Sequence, residues 1–110
     1  RAQCFETTRL IVDKMKISQD DYTVCFQSRL GRDEWIKPYA EDTLKKLAAD
    51  GKKSILVFSP AFVSDCLETT IEVGEEYKEN FIEAGGMRWD LVPSLNTESK
   101  WVDCVVDMVK

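Results

Sequence analysis

The stretch SILVF at residues 54–58 is an almost continuous apolar run. Runs of this kind are typical of strands buried on both faces, as in the parallel sheets of α/β proteins. A turn containing Pro60 and Asp65 follows at residues 59–65, and a helical pattern then extends over residues 66–84 to two glycines, which commonly end helices. We therefore predict a buried strand followed by a long helix.

The sequence on both sides continues this alternation of strands and helices. Helices are predicted over residues 1–16, 39–50 and 66–84, the second of them stopping at Gly51, and a last helix capped by Asn96 or Thr97 is predicted to run through Val109. The predicted strands cover residues 22–26, 54–58 and 89–92. An α-β-α-β-α-β-α order implies an α/β fold whose parallel sheet has right-handed crossovers. Ligands of such sheets bind beyond the carboxyl ends of the strands, so we expect binding residues in the loops at 27–35, 59–66 and 93–97.

Size and charge narrow the class of protein. The chain has 110 residues, which suits one small domain or half of a larger one. It starts at Arg1 within a helical pattern, so we expect it to be a piece of a longer protein. A formal net charge of −5 argues against a nucleic-acid partner, and it is compatible with metal cations or with plain solubility. No apolar run reaches the roughly 18 residues of a membrane span.

Residue types that commonly bind transition metals are sparse. Cys4, Cys25, Cys66 and Cys104 are widely spaced, and the chain has no histidine. Without a C-x-x-C pair or a neighbouring histidine, the spacing predicts neither a structural zinc site nor an iron–sulfur cluster. We expect buried free thiols, and disulfides are the alternative.

Residues 65–79, DCLETTIEVGEEYKE, are strongly acidic. At 3.6 residues per turn, the glutamates of this predicted helix fall within an arc of roughly 100°. They are Glu68, Glu72, Glu75, Glu76, Glu79 and Glu83. Like-charge pairs four residues apart cost about 0.2–0.5 kcal/mol each in an isolated helix, so the stripe suggests a basic partner or a cation such as Fe²⁺. The competing interpretation is a solvated face whose capping box is formed by Asp65 and Glu68.

The loop QSRLGRDEWIKP at residues 27–38 contains a tryptophan. Trp35 is a core filler, an anchor for a protein partner, or a wall for a flat aromatic ligand, and the first use is the commonest. Gln27 and Ser28 either point into a cleft from the strand end or finish the turn.

Three segments together resemble the ferrochelatase family. The loop is similar to the family pattern Q-S-[KR]-x-G-P-x-x-W-x-x-P, matched at Gln27, Ser28, Arg29, Gly31, Trp35 and Pro38. Residues 62–69, FVSDCLET, are similar to the motif F-x-S-D-[HC]-[IL]-E-T, and residues 94–96 to the motif S-L-N. The chain departs from the family at Arg32 (usually proline), Cys66 (histidine in many members) and Thr70 (usually leucine).

The resemblance implies a lyase that inserts ferrous iron into protoporphyrin IX, the last step of haem biosynthesis. Residues 1–110 would form a single domain, the C-terminal Rossmann-like three-layer lobe of the chelatase fold. The N-terminal lobe, absent from this chain, would supply the opposite wall of the cleft. The family's metal-facing histidine lies outside this sequence, so the fragment alone is expected to be inactive. Fe²⁺ is a substrate, and no cofactor is expected to stay bound.

The resemblance also implies roles for individual residues. Glu68 is expected to be catalytic, either as a metal ligand or as the acceptor of pyrrole protons. Glu72 and Glu76 are expected to continue a metal-binding track along the helix. The residues expected at the porphyrin cleft are Trp35, Gln27, Ser28, Asp65 and Cys66.

Two other functions fit parts of the sequence. One is a single-lobe chelatase that acts as a homodimer, although chelatases of that kind use histidine ligands. The other is a non-catalytic module that binds a tetrapyrrole or a protein partner. The expected location is the cytoplasm, and the hydrophobic haem product suggests peripheral contact with a membrane.

Overall fold

The computed structural model describes residues 1–28 and 31–110. Its helices are α1 (Ala2–Met15), α2 (Ala40–Ala49), α3 (Tyr77–Glu83) and α4 (Ser99–Val109), and its strands are β1 (Ser54–Val57) and β2 (Arg88–Leu91). A 3₁₀ turn at Gln19–Asp21 follows α1, and a π-helical segment at Glu68–Glu76 leads directly into α3. The chain forms two compact units, Arg1–Thr43 and Leu44–Lys110.

Strands β1 and β2 pair in parallel, with Ser54 opposite Arg88 and Val57 opposite Leu91. Parallel neighbours need a crossover connection, and here the π-helical segment and α3 supply it. The predicted parallel pairing of these two strands is therefore confirmed.

One glycine, Gly51, accounts for the end of α2. Gly51 has a φ of 86°, in the left-handed region that glycine adopts without a steric penalty. Its N–H donates to the Ala48 carbonyl, and the Lys52 N–H donates to the Leu47 carbonyl, both at 3.0 Å. This arrangement satisfies the last carbonyls of the helix, and the predicted stop at Gly51 is confirmed.

The core of the second unit contains a stripe of buried side chains spaced four residues apart. Its members are Thr69, Val73, Tyr77 and Phe81. Phe81 is fully buried, and its ring centroid lies 6.0 Å from that of Trp89 on β2. A Cβ on Gly86 would overlap the Phe81 ring, so glycine allows the chain after α3 to pass close to this ring. The stripe packs the crossover helix onto β2.

The prediction that β1 is buried on both faces is wrong for this chain. Ile55 and Val57 are half-buried, whereas Leu56 between them is 70% exposed. Successive side chains of a strand point to opposite faces, so one face of the two-stranded sheet is covered and the other is open. Phe58 and Met87, which adjoin the strands, are exposed as well.

The predicted strand at residues 22–26 in the first unit is not formed. Phe26 makes one isolated parallel bridge with Tyr39. The Phe26 N–H donates to the Pro38 carbonyl and the Ala40 N–H donates to the Phe26 carbonyl, both at 2.9 Å. Aromatic and β-branched residues favour a strand only when a neighbouring strand packs against them, and residues 22–25 have no such neighbour in the part of the chain that the structure describes. The predicted α-β-α-β-α-β-α order therefore lacks its first strand.

The four cysteines are free thiols, but the prediction that they are buried is wrong. Cys4 and Cys104 are exposed, and Cys25 and Cys66 are half-buried. The exposed pair lies on α1 and α4, whose surfaces are largely open to solvent. Burial raises the pKa of the Cys25 thiol.

The last helix starts later than the sequence predicts. It begins at Ser99 after Glu98, and no side chain caps its first turn. Asn96, a predicted cap, instead bonds Asp65 through its side chain. Among residues 1–28 and 31–110, no helix combines the length and the apolar character needed to cross a membrane.

Candidate functional site

The acidic helix is not the uniform α-helix that the sequence predicts over residues 66–84. Its first part, Glu68–Glu76, is π-helical, and only Tyr77–Glu83 is α-helical. The Tyr77 N–H donates to the carbonyl of Glu72, five residues back, which is the hydrogen bond that defines a π-helix. The arc of glutamates calculated at 3.6 residues per turn therefore does not apply to Glu68–Glu76.

Side chains within the segment account for part of this wider winding. The Thr70 hydroxyl donates to the Cys66 carbonyl at 2.8 Å, the Thr69 hydroxyl oxygen lies 3.1 Å from the same carbonyl oxygen, and such contacts compete with the regular backbone ladder. A Cβ on Gly74 would lie 3.3 Å from the Thr69 carbonyl oxygen and 3.6 Å from Leu91 Cδ2. Glycine at this position therefore allows a tight fit between the wide turn and β2.

The π-helical winding pairs Glu72 with Tyr77. The Tyr77 hydroxyl donates to Glu72 Oε1 at 2.8 Å, and the Tyr77 side chain is buried in the core. Glu72 is half-buried as a result, whereas Glu68 and Glu76 are exposed. One carboxylate of the predicted acidic track is thus held at a fixed position by the core.

Replacing Tyr77 with phenylalanine should destabilise the chain by about 1–1.5 kcal/mol, because Glu72 loses its buried donor. Urea unfolding followed by circular dichroism measures the loss. Tyr22→Phe is the matched control, since the Tyr22 hydroxyl bonds Gln19 Oε1 at an exposed position and its removal should change stability little. Equal losses in the two variants would contradict the anchoring of Glu72.

Asp65 joins the loop after β1 to the loop after β2. Its N–H donates to Asn96 Oδ1 at 2.9 Å, and Asn96 Nδ2 donates to Asp65 Oδ2 at 2.8 Å. The Ser94 N–H and the Thr69 hydroxyl donate to Asp65 Oδ1, each at 3.3 Å. We call this set of residues, Asp65 with Ser94, Asn96 and Thr69, the Asp65 clamp.

The clamp replaces the capping box that Asp65 and Glu68 were expected to form. In a capping box the Glu68 carboxylate would accept the Asp65 N–H, but that N–H donates to Asn96. Residue 67, not Asp65, precedes the π-helical segment, and no side-chain cap is present there. The capping-box interpretation of Asp65 is therefore wrong.

The clamp predicts a specific acid sensitivity. The Asn96 amide and then Ser94 hold the pKa of Asp65 below its ordinary value of 3.8. A lowered pKa means that the contribution of Asp65 to stability is complete above that value and is lost as pH falls through the lowered pKa. Asp65→Asn should therefore be less stable than the unsubstituted chain at neutral pH, and the difference should shrink below pH 3.8.

Urea unfolding at a series of pH values tests this acid sensitivity. The control is Asp103→Asn on α4, which makes the same change of side chain at an exposed position outside the clamp. A stability difference between Asp65→Asn and the unsubstituted chain that stays constant down to acid pH would contradict the prediction.

Glu68 is exposed at the first position of the π-helical segment. A hydrogen bond from the Cys66 thiol lowers the pKa of Glu68, and the Glu68 N–H adds to the effect. The carboxylate is thus ionised at neutral pH and faces solvent, where it can accept a proton or bind a cation. Within residues 1–28 and 31–110, no group of three or more histidine, cysteine or acidic residues is arranged to hold a metal ion.

The predicted cleft residues of the first unit lie together in one loop. Trp35 is half-buried, and its indole N–H donates to the Gln27 carbonyl at 2.9 Å. Gln27 Nε2 donates to Ser28 Oγ at 3.4 Å, and Ser28 has a positive φ of 60°. Arg29, which belongs to the predicted loop motif, lies outside the described residues.

Four residues that the structure brings into the site are absent from the set predicted from sequence, namely Thr69, Tyr77, Ser94 and Asn96. Tyr77 was missed because its partner Glu72 is five residues away, a spacing that no α-helical pattern contains. Asn96 is predicted as a helix cap and lies in the matched S-L-N motif, and that motif is the sequence signal of another role. The structure brings Asp65, Cys66 and Glu68 together at the start of the acidic helix.

The ferrochelatase family model matches residues 1–110. The chain is 49% identical over 108 residues to the ferrochelatase of Stutzerimonas stutzeri, with 98% of this chain and 32% of that protein covered. It is 44% identical over 108 residues to the ferrochelatase of Idiomarina loihiensis (98% and 30% covered) and 42% identical over 110 residues to that of Brucella ovis (100% and 31%). This chain belongs to the ferrochelatase family, and it spans about 30% of the length of the curated relatives that it matches.

Proposed function

We propose that this chain is part of an enzyme that inserts Fe²⁺ into protoporphyrin IX to form protohaem. The observation that carries the proposal is the family match, which extends over all of residues 1–110. The site is chemically suited to this reaction, because insertion of a divalent metal displaces two pyrrole protons and Glu68 is an exposed, ionised carboxylate.

In this proposal Glu68 works at the reacting centre, where it accepts a pyrrole proton or binds the incoming Fe²⁺. Glu72 and Glu76 follow at intervals of four residues along the same segment and provide oxygen ligands or proton acceptors, which suit Fe²⁺ before it enters the ring. Glu72 is the more rigid of the two because Tyr77 holds it.

We propose that the porphyrin-contacting residues predicted from the sequence act in the complete enzyme. Trp35 offers an aromatic surface that suits a flat macrocycle, and its bond to Gln27 restricts the ring's orientation. Gln27, Ser28, Asp65 and Cys66 complete the set. Their part in porphyrin binding is inferred from the family motifs that they match.

We further propose that β1 and β2 belong to a larger parallel sheet in a Rossmann-like, three-layer lobe. The 70% exposure of Leu56 supports this view, since apolar strands of parallel sheets are usually covered on both faces. The remaining wall of the cleft would come from an N-terminal lobe of the same protein, and the complete enzyme would work in the cytoplasm.

A chimera tests the proposed function. In it, this chain replaces the matched segment of the Stutzerimonas stutzeri ferrochelatase. Iron insertion is followed under anaerobic conditions as the loss of protoporphyrin fluorescence when Fe²⁺ is added. We expect the chimera to form haem and the isolated 110-residue chain to form none.

The same relative with its matched segment deleted is the negative control. A folded chimera that binds protoporphyrin but never inserts iron would contradict the proposed function, and it would favour a non-catalytic tetrapyrrole-binding module. Iron insertion by the isolated chain would contradict the requirement for a second lobe.

A further inference from the structure

We propose that Asn96 is a positioning residue for Glu68 in the insertion reaction, acting through the carboxylate and the N–H of Asp65. This inference rests on the proposed function and adds to it a residue outside the acidic helix. Asn96 follows β2. Its side-chain oxygen accepts the Asp65 N–H at 2.9 Å, and its side-chain nitrogen donates to the Asp65 carboxylate at 2.8 Å. Three features of the structure link Asn96 to Glu68.

The first feature is the rigidity of the Asn96 side chain. Its backbone has a φ of 50°, a left-handed conformation that asparagine tolerates better than most residues. The Asn96 N–H donates to the Val63 carbonyl at 2.8 Å. Asn96 therefore makes hydrogen bonds to two nearby residues of the loop after β1. Its backbone bonds Val63, and its side chain bonds Asp65.

The second feature is the chemistry of the pairing. The Asp65 N–H needs an acceptor, and the Asp65 carboxylate needs a donor. One planar carboxamide supplies both and fixes its own orientation, because a flipped amide would face N–H to N–H. A carboxylate at residue 96 has no proton to donate when ionised, and a serine hydroxyl is too short to reach both partners.

The third feature is the connection from the clamp to Glu68. Asp65 Oδ1 accepts the hydroxyl of Thr69, and the Thr69 oxygen accepts the Cys66 N–H at 2.9 Å. Thr69 is buried, with 2% of its surface exposed. Glu68 is thus flanked by a fixed Asp65–Cys66 pair on one side and a buried Thr69 on the other. Loss of the Asn96 amide frees this turn, and a displacement near 1 Å at a reacting group costs about 100-fold in rate.

The test uses variants of the chimera. Asn96→Ala and Asn96→Asp should lower kcat by about 10- to 100-fold, with a smaller change in KM for protoporphyrin, because the loop that carries Trp35 is untouched. The double variant Asp65→Asn/Asn96→Asp exchanges donor and acceptor and should restore most of the lost kcat. Asn80→Ala, the same truncation on α3, is the control and should be unchanged.

Circular dichroism and the thermal midpoint establish that each variant is folded. Unchanged kcat in a folded Asn96→Ala chimera would overturn the proposal, as would a folded, inactive exchange variant, since the carboxylate of Asp65 would then be needed for itself. If Asn96→Ala does not fold, the exchange variant still decides between these outcomes. Failure of the unsubstituted chimera to insert iron instead overturns the proposed function, so the two failures are distinguishable.

Discussion

Replacing Glu68 with glutamine should reduce iron insertion by the chimera by about 100- to 10,000-fold, the contribution expected of a positioned acid–base group. Glutamine keeps the size and the hydrogen-bonding capacity of the side chain but cannot accept a proton and binds Fe²⁺ weakly. The exposed position of Glu68 means that the substitution leaves the core intact, so the loss should fall on kcat with no loss of porphyrin binding.

Glu83→Gln is the matched control for this prediction. Glu83 is an exposed glutamate at the last position of α3, so the change in charge is the same on the same continuous helix. Its rate should equal that of the unsubstituted chimera. If both substitutions lower the rate equally, general loss of negative charge explains the effect, and the special role of Glu68 is refuted.

Replacing Phe81 with alanine should destabilise the chain by about 3–5 kcal/mol, because the substitution removes a fully buried ring and leaves a cavity. A domain of this length has a total stability of about 5–15 kcal/mol. The variant should therefore lose much of its free energy of unfolding and should unfold at a far lower urea concentration. Trp89 packs against the same ring, so the substitution also removes its contacts with Phe81.

Phe58→Ala is the control because it makes the same change at a side chain that is 46% exposed. It should cost about 1 kcal/mol or less, as expected for a position that the core does not enclose. Urea unfolding of the two variants, monitored by circular dichroism, gives both values. Similar losses at the two positions would contradict the assignment of the core to the stripe that contains Phe81.

The elements that sequence patterns predicted well are those whose signals are local. The apolar run at residues 54–58 and the run around Trp89 gave a correct parallel pair, and Gly51 gave a correct helix end. The strand predicted over residues 22–26 failed because pairing depends on a distant partner that a local pattern does not identify. The exposure of Leu56 was missed for the same reason, since burial depends on which other elements cover the sheet.

The candidate site likewise contains residues that local motifs identify and contacts that no local pattern indicates. The family motifs single out Asp65, Cys66 and Glu68, whose roles stay predictions, and the structure places Glu68 at the first position of the π-helical segment. The bond between Asp65 and Asn96 joins residues that are 31 positions apart, and no periodicity in the sequence indicates it. The bond between Tyr77 and Glu72 was not predicted, because the acidic helix was assumed to have 3.6 residues per turn.

The π-helical segment also constrains how the length of this helix can change. A π-helical turn holds more residues than an α-helical turn, so a one-residue deletion within Glu68–Glu76 can be absorbed by conversion to α-helix. Phe81 and the residues after it would keep their places, and the residues before the deletion would keep theirs, because the tighter turn takes up the missing residue. Such a deletion would leave both the core and the direction of Glu68 largely unchanged. A one-residue gap in this segment of a homologue therefore indicates an α-helical turn in place of the π-helical turn, whereas a gap in a surface loop indicates a shorter loop.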